Sequence, residues 1–414
     1  MLPKDQNELL TRTGADTLMG RFMRRYWVPA LLSEEIPAPD SPPAQVRILG
    51  EELVAFRNSQ GRIGLLEEHC PHRGTSLFYG RNESCGLRCI YHGWKFDVDG
   101  NVLETPAEPP DSEFRHKIRQ ASYPVHEAAG VIWAYLGPRD KMPVFPAYAF
   151  AQTPLDQTYV TKCLLECNYL QGLEGECDSA HLSFLHRETA LDGDQSLYQG
   201  DTAPQYHTEE TDFGIRLVAT RKASETETYV RVSSFVVPVS CWVPAGRRRE
   251  NHMYVPYDDT HAWRYDMGFL NRPVTEEDRH RARQIGPDYR RIRTMANHYL
   301  QDRRAQLTED FTGIEDFLNE DACATETMGP IFDRSREHLG ASDKGVIAVR
   351  RYLLDAVRSF EAGNEPPHQV TDPEANQQTH IDTLAEVIPA GRHWREHFPH
   401  LTLSSAAATT AVGR

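Results

Sequence analysis

No run of apolar residues in the sequence approaches the ~18 needed to cross a bilayer. The polar opening MLPKDQNELL has no apolar core of the kind a secretion signal carries. The expectation is a cytoplasmic protein with no membrane partner. Positive charge is the scarcer sign: 45 Lys and Arg face 60 Asp and Glu, for a formal net charge of -15. That balance argues against nucleic acid as a partner. Cysteine is sparse, with eight in 414 residues, too few for the disulfide framework of a small secreted domain. In such a chain a close-set group of Cys and His reads instead as a metal site. No G-x-G-x-x-G follows a strand-like run, so no built-in nicotinamide or flavin site is expected. No internal repeat is present.

What remains is a chain long enough for two domains. Residues 1–43 read as a lead-in packing on the first domain: a short helix, the cluster RRYWVPALL, then a Pro/Asp-rich loop. From Ala44 the texture is β, with two short alternating runs around a turn at Asn58–Gly61 and a further strand at VIWAYLG. Closely spaced prolines from Pro138 to Pro154 mark a boundary, giving a first domain over 44–154 and a second over 155–402. In the second, residues 165–187 favour helix. RLVAT, YVRVSSFVV, HMYVPY and WRYDMGFL read as antiparallel strands, and 276–305, 314–327 and 344–361 as helices. The small-residue tail, 403–414, is expected to fray.

Two constellations carry chemistry. Cys70-Pro-His72 and Cys89-Ile-Tyr-His92 are separated by sixteen residues. Two thiolates and two imidazoles suit either zinc or a [2Fe–2S] cluster. Zinc fingers usually pair Cys with Cys and His with His, whereas here each half supplies one of each. That mixing suits a cluster whose irons divide the ligands by type, which raises its reduction potential. The second constellation is Asp178-x2-His181-x4-His186. Asp178 and His181 share a helix face, about 60° apart. His181 and His186 lie about 140° apart on a regular helix. They reach one metal only if the helix is distorted or ends. In GIEDFLNEDACATE, Ile314, Phe317, Leu318 and Asp321 fall on one stripe. Asp321 is therefore the inward acid, with Glu315, Asp316 and Glu320 pointing away. An acid in an apolar stripe is costly unless paired or metal-bound.

With their neighbours included, CPHRG and CIYHGWKF resemble the Rieske signature almost residue for residue. The segment NYLQGLEGECDSAHLSFLHR looks like the mononuclear-iron motif of ring-hydroxylating and demethylating oxygenases. ETMGPIFDRSREHLGASD is similar to the phthalate dioxygenase-like branch. Some branches carry Asn four residues before the aspartate; this chain has Glu174. The resemblance implies an α+β protein: an N-terminal antiparallel β Rieske domain and a C-terminal domain with a large antiparallel sheet flanked by helices. It implies a [2Fe–2S] cluster on Cys70, His72, Cys89 and His92, with Cys85 a bystander. It implies a mononuclear Fe(II) on His181, His186 and Asp321, with O2 as co-substrate. Asp178 becomes the bridge to a cluster histidine, His72 or His92, of a neighbouring subunit in a homotrimer without a β subunit. NAD(P)H acts only through a separate flavin/iron–sulfur reductase, with or without a ferredoxin.

The implied reaction is ring cis-dihydroxylation of an aromatic carboxylate. The alternative is oxidative O-demethylation of a methoxylated aromatic acid. A substrate carboxylate calls for Arg, and the candidates on predicted strands are Arg216, Arg221 and Arg231. Arg247–Arg249 reads as a turn or docking patch, and His207 and Cys241 as possible cavity residues. A non-catalytic Rieske carrier would end near residue 110, and a zinc protein would be colourless.

Overall fold

Turn chemistry sets the first hairpins. In the computed structural model, Asn58 Oδ1 accepts from the N–H groups of Gln60 and Arg62 at 3.0 and 2.9 Å. Gly61 takes φ 78°, as a tight turn requires. The structure describes residues 1–109, 111–189, 195–245, 248–374, 376, 378 and 380–401. The expected tail, 403–414, and Arg247 of the proposed docking patch lie outside them.

Contacts divide the chain into two units, Thr13–Phe145 and Met1–Arg12 with Pro146–Arg414. The break falls inside the proline-rich stretch, nine residues before the expected boundary at 154. The lead-in is itself split. Helix Lys4–Thr11 belongs to the C-terminal unit, where the Tyr169 hydroxyl donates to Leu10 O at 2.8 Å and Asn168 Nδ2 to Thr11 O at 2.9 Å. Backbone carbonyls near the end of that helix thus find buried side-chain donors, an interaction no local pattern announces.

The first unit holds three small antiparallel sheets. β1 (Trp27–Leu32) pairs with β10 (Val131–Tyr135) and β10 with β9 (Val125–Ala128). β2 (Ala44–Ile48), β3 (Glu51–Arg57) and β4 (Ile63–Glu67) form a meander. β5 (Arg81–Glu83), β6 (Gly86–Arg88), β7 (Lys95–Phe96) and β8 (Val102–Glu104) form another. Cys70 and Cys89 follow β4 and β6 and belong to the apolar core with Val54, Phe56, Leu66, Trp94 and Phe96.

The second unit is built on an eight-stranded antiparallel sheet. Its strands are β11 (Thr158–Leu165), β12 (Gln205–Glu210), β13 (Gly214–Lys222), β14 (Glu227–Val236), β15 (Ser240–Ala245), β16 (Arg248–Pro256), β17 (Ala262–Phe269) and β18 (Leu384–Pro389). The order is β11-β17-β16-β15-β14-β13-β12, with β18 also on β14. Helices Tyr169–Glu176, Phe317–Glu326 and Lys344–Glu361 accompany it. The β16–β17 register sets His252 opposite Asp266 and Tyr254 opposite Arg264. Because alternate residues share a face, Glu250, His252, Tyr254, Arg264 and Asp266 form one buried polar face.

Two expected helices differ. Residues 165–187 yield only Tyr169–Glu176 and a 3-10 turn at His181–Ser183. The charged run 276–305 is not a helix. It has 3-10 turns at His280–Gln284 and Met295–Leu300, with an isolated bridge between Ile285 and Arg291. Gly286 and Pro287 break the helix, and Arg291 is drawn into the core, donating to Leu164 O at 2.7 Å and pairing with buried Glu326. A run with no apolar stripe gains little from helix formation, so a buried ion pair decides its path.

Candidate metal centres and cavity

The thiol–imidazole group is presented by two similar loops. After β4, Cys70 N donates to Thr75 O at 2.9 Å and Gly74 N to Cys70 O at 2.8 Å. After β6, Cys89 N donates to Trp94 O at 2.8 Å and Gly93 N to Cys89 O at 3.1 Å. Gly74 and Gly93 close both turns at φ 77° and 74°, which a side chain would strain. Both cysteines are buried, with their thiols in contact; burial pushes Cys70 up to about 11, against the peptide N–H groups of His72 and Arg73 aimed at its sulfur. Those donors favour the thiolate that metal ligation needs. The His72 and His92 rings stand 4.4 Å apart, and Trp94 stacks on His72 at 4.6 Å. Cys85 sits on the β5–β6 turn, apart from the loops, at φ 65°. Two buried sulfurs backed by amide donors and two half-exposed imidazoles fit a two-iron cluster.

The second group is assembled because the helix stops. Tyr169–Glu176 ends before Asp178, and the following turns bring His181 and His186 to 5.0 Å between ring centroids. One ligand atom each from His181, His186 and Asp321 lies within 4.8 Å of the others. His186 is fully buried and stacks on Phe317 at 3.6 Å. Its Nε2 lies 2.8 Å from Asp321 Oδ1 and its Nδ1 2.8 Å from Glu320 Oε2. Glu320 thus does not point away, contrary to the stripe reading. It is 2% exposed and also accepts from Thr189 Oγ1 at 2.6 Å and Thr312 Oγ1 at 2.7 Å. A metal-ligating His usually gives its other N–H to such an acid, which fixes tautomer and ring. Burial opposes charge on His186, but Asp321 and Glu320 outweigh it and hold the ring up to about 9. Burial likewise opposes charge on Asp321, yet His186 and Arg264 hold it well below the carboxylate range. Two imidazoles and an acid, oriented by further buried acids, suit a mononuclear iron with open positions.

Asp178 sits beside the pair. Its Oδ1 accepts from Ala180 N at 2.7 Å and the Tyr206 hydroxyl at 3.0 Å, while Oδ2 is 3.6 Å from His181 Nδ1. Burial raises its affinity for a proton, but His181, Ala180 and Tyr206 keep it ionised below its ordinary range. With Nδ1 toward Asp178, His181 has Nε2 left for a metal. Glu174, where Asn was the alternative, is a support: it pairs with Arg334 at 2.9 Å and Arg350 at 2.5 Å.

A cavity adjoins His181, walled by Glu176, Arg231, Val243, Pro244, His252 and Phe317 among others. Its free volume is about 30 Å³, far below the roughly 300–1,000 Å³ of a small-molecule pocket, so seating an aromatic ring requires side chains to rotate. Of the three candidate arginines only Arg231 lines it. Arg216 faces Glu209 at 3.6 Å. Arg221 braces the segment between Asp178 and His181, donating to Ser179 Oγ at 3.0 Å and Ser179 O at 2.5 Å. His207 is exposed on β12, its neighbour Tyr206 being the inward residue. Cys241 is buried 3.7 Å from Glu176 O and is not in the wall.

Both halves match family models: a Rieske [2Fe-2S] domain over residues 26–124 and a LigXa C-terminal domain like over 134–411. The chain belongs to the Rieske oxygenases, enzymes with a Rieske cluster and a mononuclear iron. Within that class it is 39% identical over 424 residues to the phthalate 4,5-dioxygenase oxygenase subunit of Pseudomonas putida, covering 96% of this chain and 95% of the relative. It is 37% identical to the 3-chlorobenzoate-3,4-dioxygenase oxygenase subunit of Comamonas testosteroni, covering 88% and 91%. A crystal structure of dicamba monooxygenase bound to dicamba superposes with a TM-score of 0.61 at 18% identity, covering 83% of this chain and 100% of that one. The α+β architecture is that of the family. No helix among the described residues is long and apolar enough to cross a membrane.

Proposed function

We propose that this chain is a terminal oxygenase that oxidises an aromatic carboxylate by ring cis-dihydroxylation. Cys70, His72, Cys89 and His92 hold the cluster, and His181, His186 and Asp321 hold the iron. The observation that carries the reading is the convergence of His181, His186 and Asp321 within 4.8 Å, next to a cavity that Arg231 shares with Val243, Pro244 and Phe317. When bound, the two metals supply electron storage and O2 activation. The chain's own residues do the rest. Arg231 receives the substrate carboxylate, and Val243, Pro244 and Phe317 flank the ring. Glu320 keeps His186 in the tautomer that leaves Nε2 free. Asp178 joins His181 to a cluster histidine, His72 or His92, of a neighbouring copy, in a homotrimer without a β subunit. A flavin/iron–sulfur reductase in the cytoplasm feeds the cluster from NAD(P)H.

The relatives named for phthalate and 3-chlorobenzoate dioxygenation support an aromatic acid as substrate. The test is product analysis with a surrogate reductase on phthalate, benzoate and methoxybenzoate. A ring cis-diol from one of these acids is expected. Formaldehyde from the methoxylated acid, with no diol from any, replaces dihydroxylation by O-demethylation.

A further inference from the structure

Helix Lys344–Glu361 carries two stripes. Val346, Val349, Leu353 and Val357, at i, i+3, i+7 and i+11, are buried as the helix packs on β12 and β13. The second stripe runs through Ile347, Arg351, Leu354 and Arg358, at i, i+4, i+7 and i+11, and alternates apolar with cationic. It lines an open groove of about 520 Å³, together with Leu2 and Leu339. That volume falls within the roughly 300–1,000 Å³ of a small-molecule site, against about 30 Å³ beside His181.

The charges along the groove do not cancel. Arg350 also lines it but is already engaged: Nε donates to Glu174 at 2.5 Å and Nη2 to Glu337 at 3.0 Å. Glu174 holds Arg334 as well, so two acids and two guanidiniums close a neutral cluster. Arg351 is 82% exposed and lies 3.7 Å from Asp355, beyond hydrogen-bond range, and an exposed pair of that kind contributes little. The Arg358 side chain has no hydrogen-bond or ion-pair partner among the described residues. Arg351 and Arg358 against Asp355 leave positive charge in excess.

We propose that this groove is a second binding site, apart from the iron cavity, for an aromatic carboxylate. A long acyl chain suits a groove with its cation at one end. Here a guanidinium recurs about one helical turn, 5.4 Å, from each apolar side chain, which suits an acid attached directly to a flat ring system. Arginine can take a carboxylate bidentately and can also stack on an aromatic face; a lysine ammonium is only a point charge. The ligand class rests on the substrate reading above, whereas the groove shares no residue with the iron cavity.

The probe is 2-naphthoate, titrated calorimetrically into the metal-replete full chain carrying Arg231→Gln, which removes the carboxylate contact assigned to the iron cavity. One equivalent per chain is expected to bind. Adding Arg351→Glu and Arg358→Glu, both at exposed positions, should weaken it at least tenfold. With the groove unmutated, the uncharged analogue 2-naphthamide should also bind at least tenfold more weakly, a readout free of any folding defect. No binding to the Arg231→Gln chain, an affinity unmoved by the two glutamates, or laurate binding more tightly than 2-naphthoate overturns the proposal. Two equivalents in the Arg231→Gln chain, one of them lost with the groove arginines, support the groove and instead remove Arg231 from the substrate reading.

Discussion

Asp178→Asn tests the proposed bridge separately from the scaffold. The carboxylate makes two hydrogen bonds, from Ala180 N at 2.7 Å and from the Tyr206 hydroxyl at 3.0 Å, both to Oδ1. An asparagine oxygen in the same place accepts both. What is lost is the charge: a hydrogen bond to a charged group contributes about 1.5–3 kcal/mol and a neutral one about 0.5–1.5. The two bonds together therefore forfeit about 2 kcal/mol. A domain of this size shifts by roughly 2–4 °C per kcal/mol, so thermal unfolding moves down by about 4–8 °C and the protein still folds. The cluster ligands lie elsewhere in the chain, and Nε2 of His181 is untouched, so both metals are retained. Stopped-flow absorbance then separates the steps. The reductase reduces the cluster at the wild-type rate, while reoxidation by O2 with substrate present collapses and product formation falls to background. Normal turnover in a metal-replete variant refutes the bridge. Loss of iron along with turnover shows instead that Asp178 helps hold the site.

Glu320→Gln keeps a hydrogen-bond acceptor for His186 but removes its charge; Fe(II) affinity should fall roughly 10–100-fold, as for other partners of ligating histidines, measured by chelator competition. Arg231→Gln should raise KM for an aromatic acid by tenfold or more with the cluster spectrum and iron content unchanged; an unaltered KM removes Arg231 from the carboxylate site. His252 gives a pH signature. Burial alone would lower its pKa, but Glu176, Asp266 and Glu250 outweigh burial and raise it from 6.5 to about 10. Being raised on folding, it contributes stability in full below about pH 6.5, losing it progressively up to about pH 10. The melting temperature should thus decline across that window. Glu176, which burial would raise but His252 and Arg264 hold at about 2, withdraws its share as pH falls from about 4.5 toward 2. His252→Gln should flatten the alkaline decline; an unchanged slope assigns the loss to other groups.

The limits of the sequence reading show most clearly at His186. Its spacing from His181 announced that a regular helix could not bring both to one point, and the chain ends its helix at Glu176. Asp321 was legible because an acid in an apolar stripe needs a partner. Glu320 was not, because a helical wheel assigns each residue a direction and so places adjacent acids about 100° apart. An imidazole defeats that logic: it carries a nitrogen on each of two edges, and His186 lies flat on Phe317 so that Nδ1 meets Glu320 and Nε2 meets Asp321. The signal that could have found Glu320 is chemical, since a ligating histidine needs an acceptor for its second N–H. Arg264 was hidden for a different reason. In WRYDMGFL it reads as an alternating polar position, indistinguishable from a solvated strand residue. Its inward direction depends on β17 lying between β11 and β16, a long-range pairing beneath two helices. Arg291 in the misread run 276–305 is the same case: both arginines are placed by an acid far away in the chain, Asp321 or Glu326. Local periodicity reports where apolar surface goes. Which charges follow it inward depends on partners that only the assembled fold brings near, and the residues that orient His186 and Asp321 are drawn from that set.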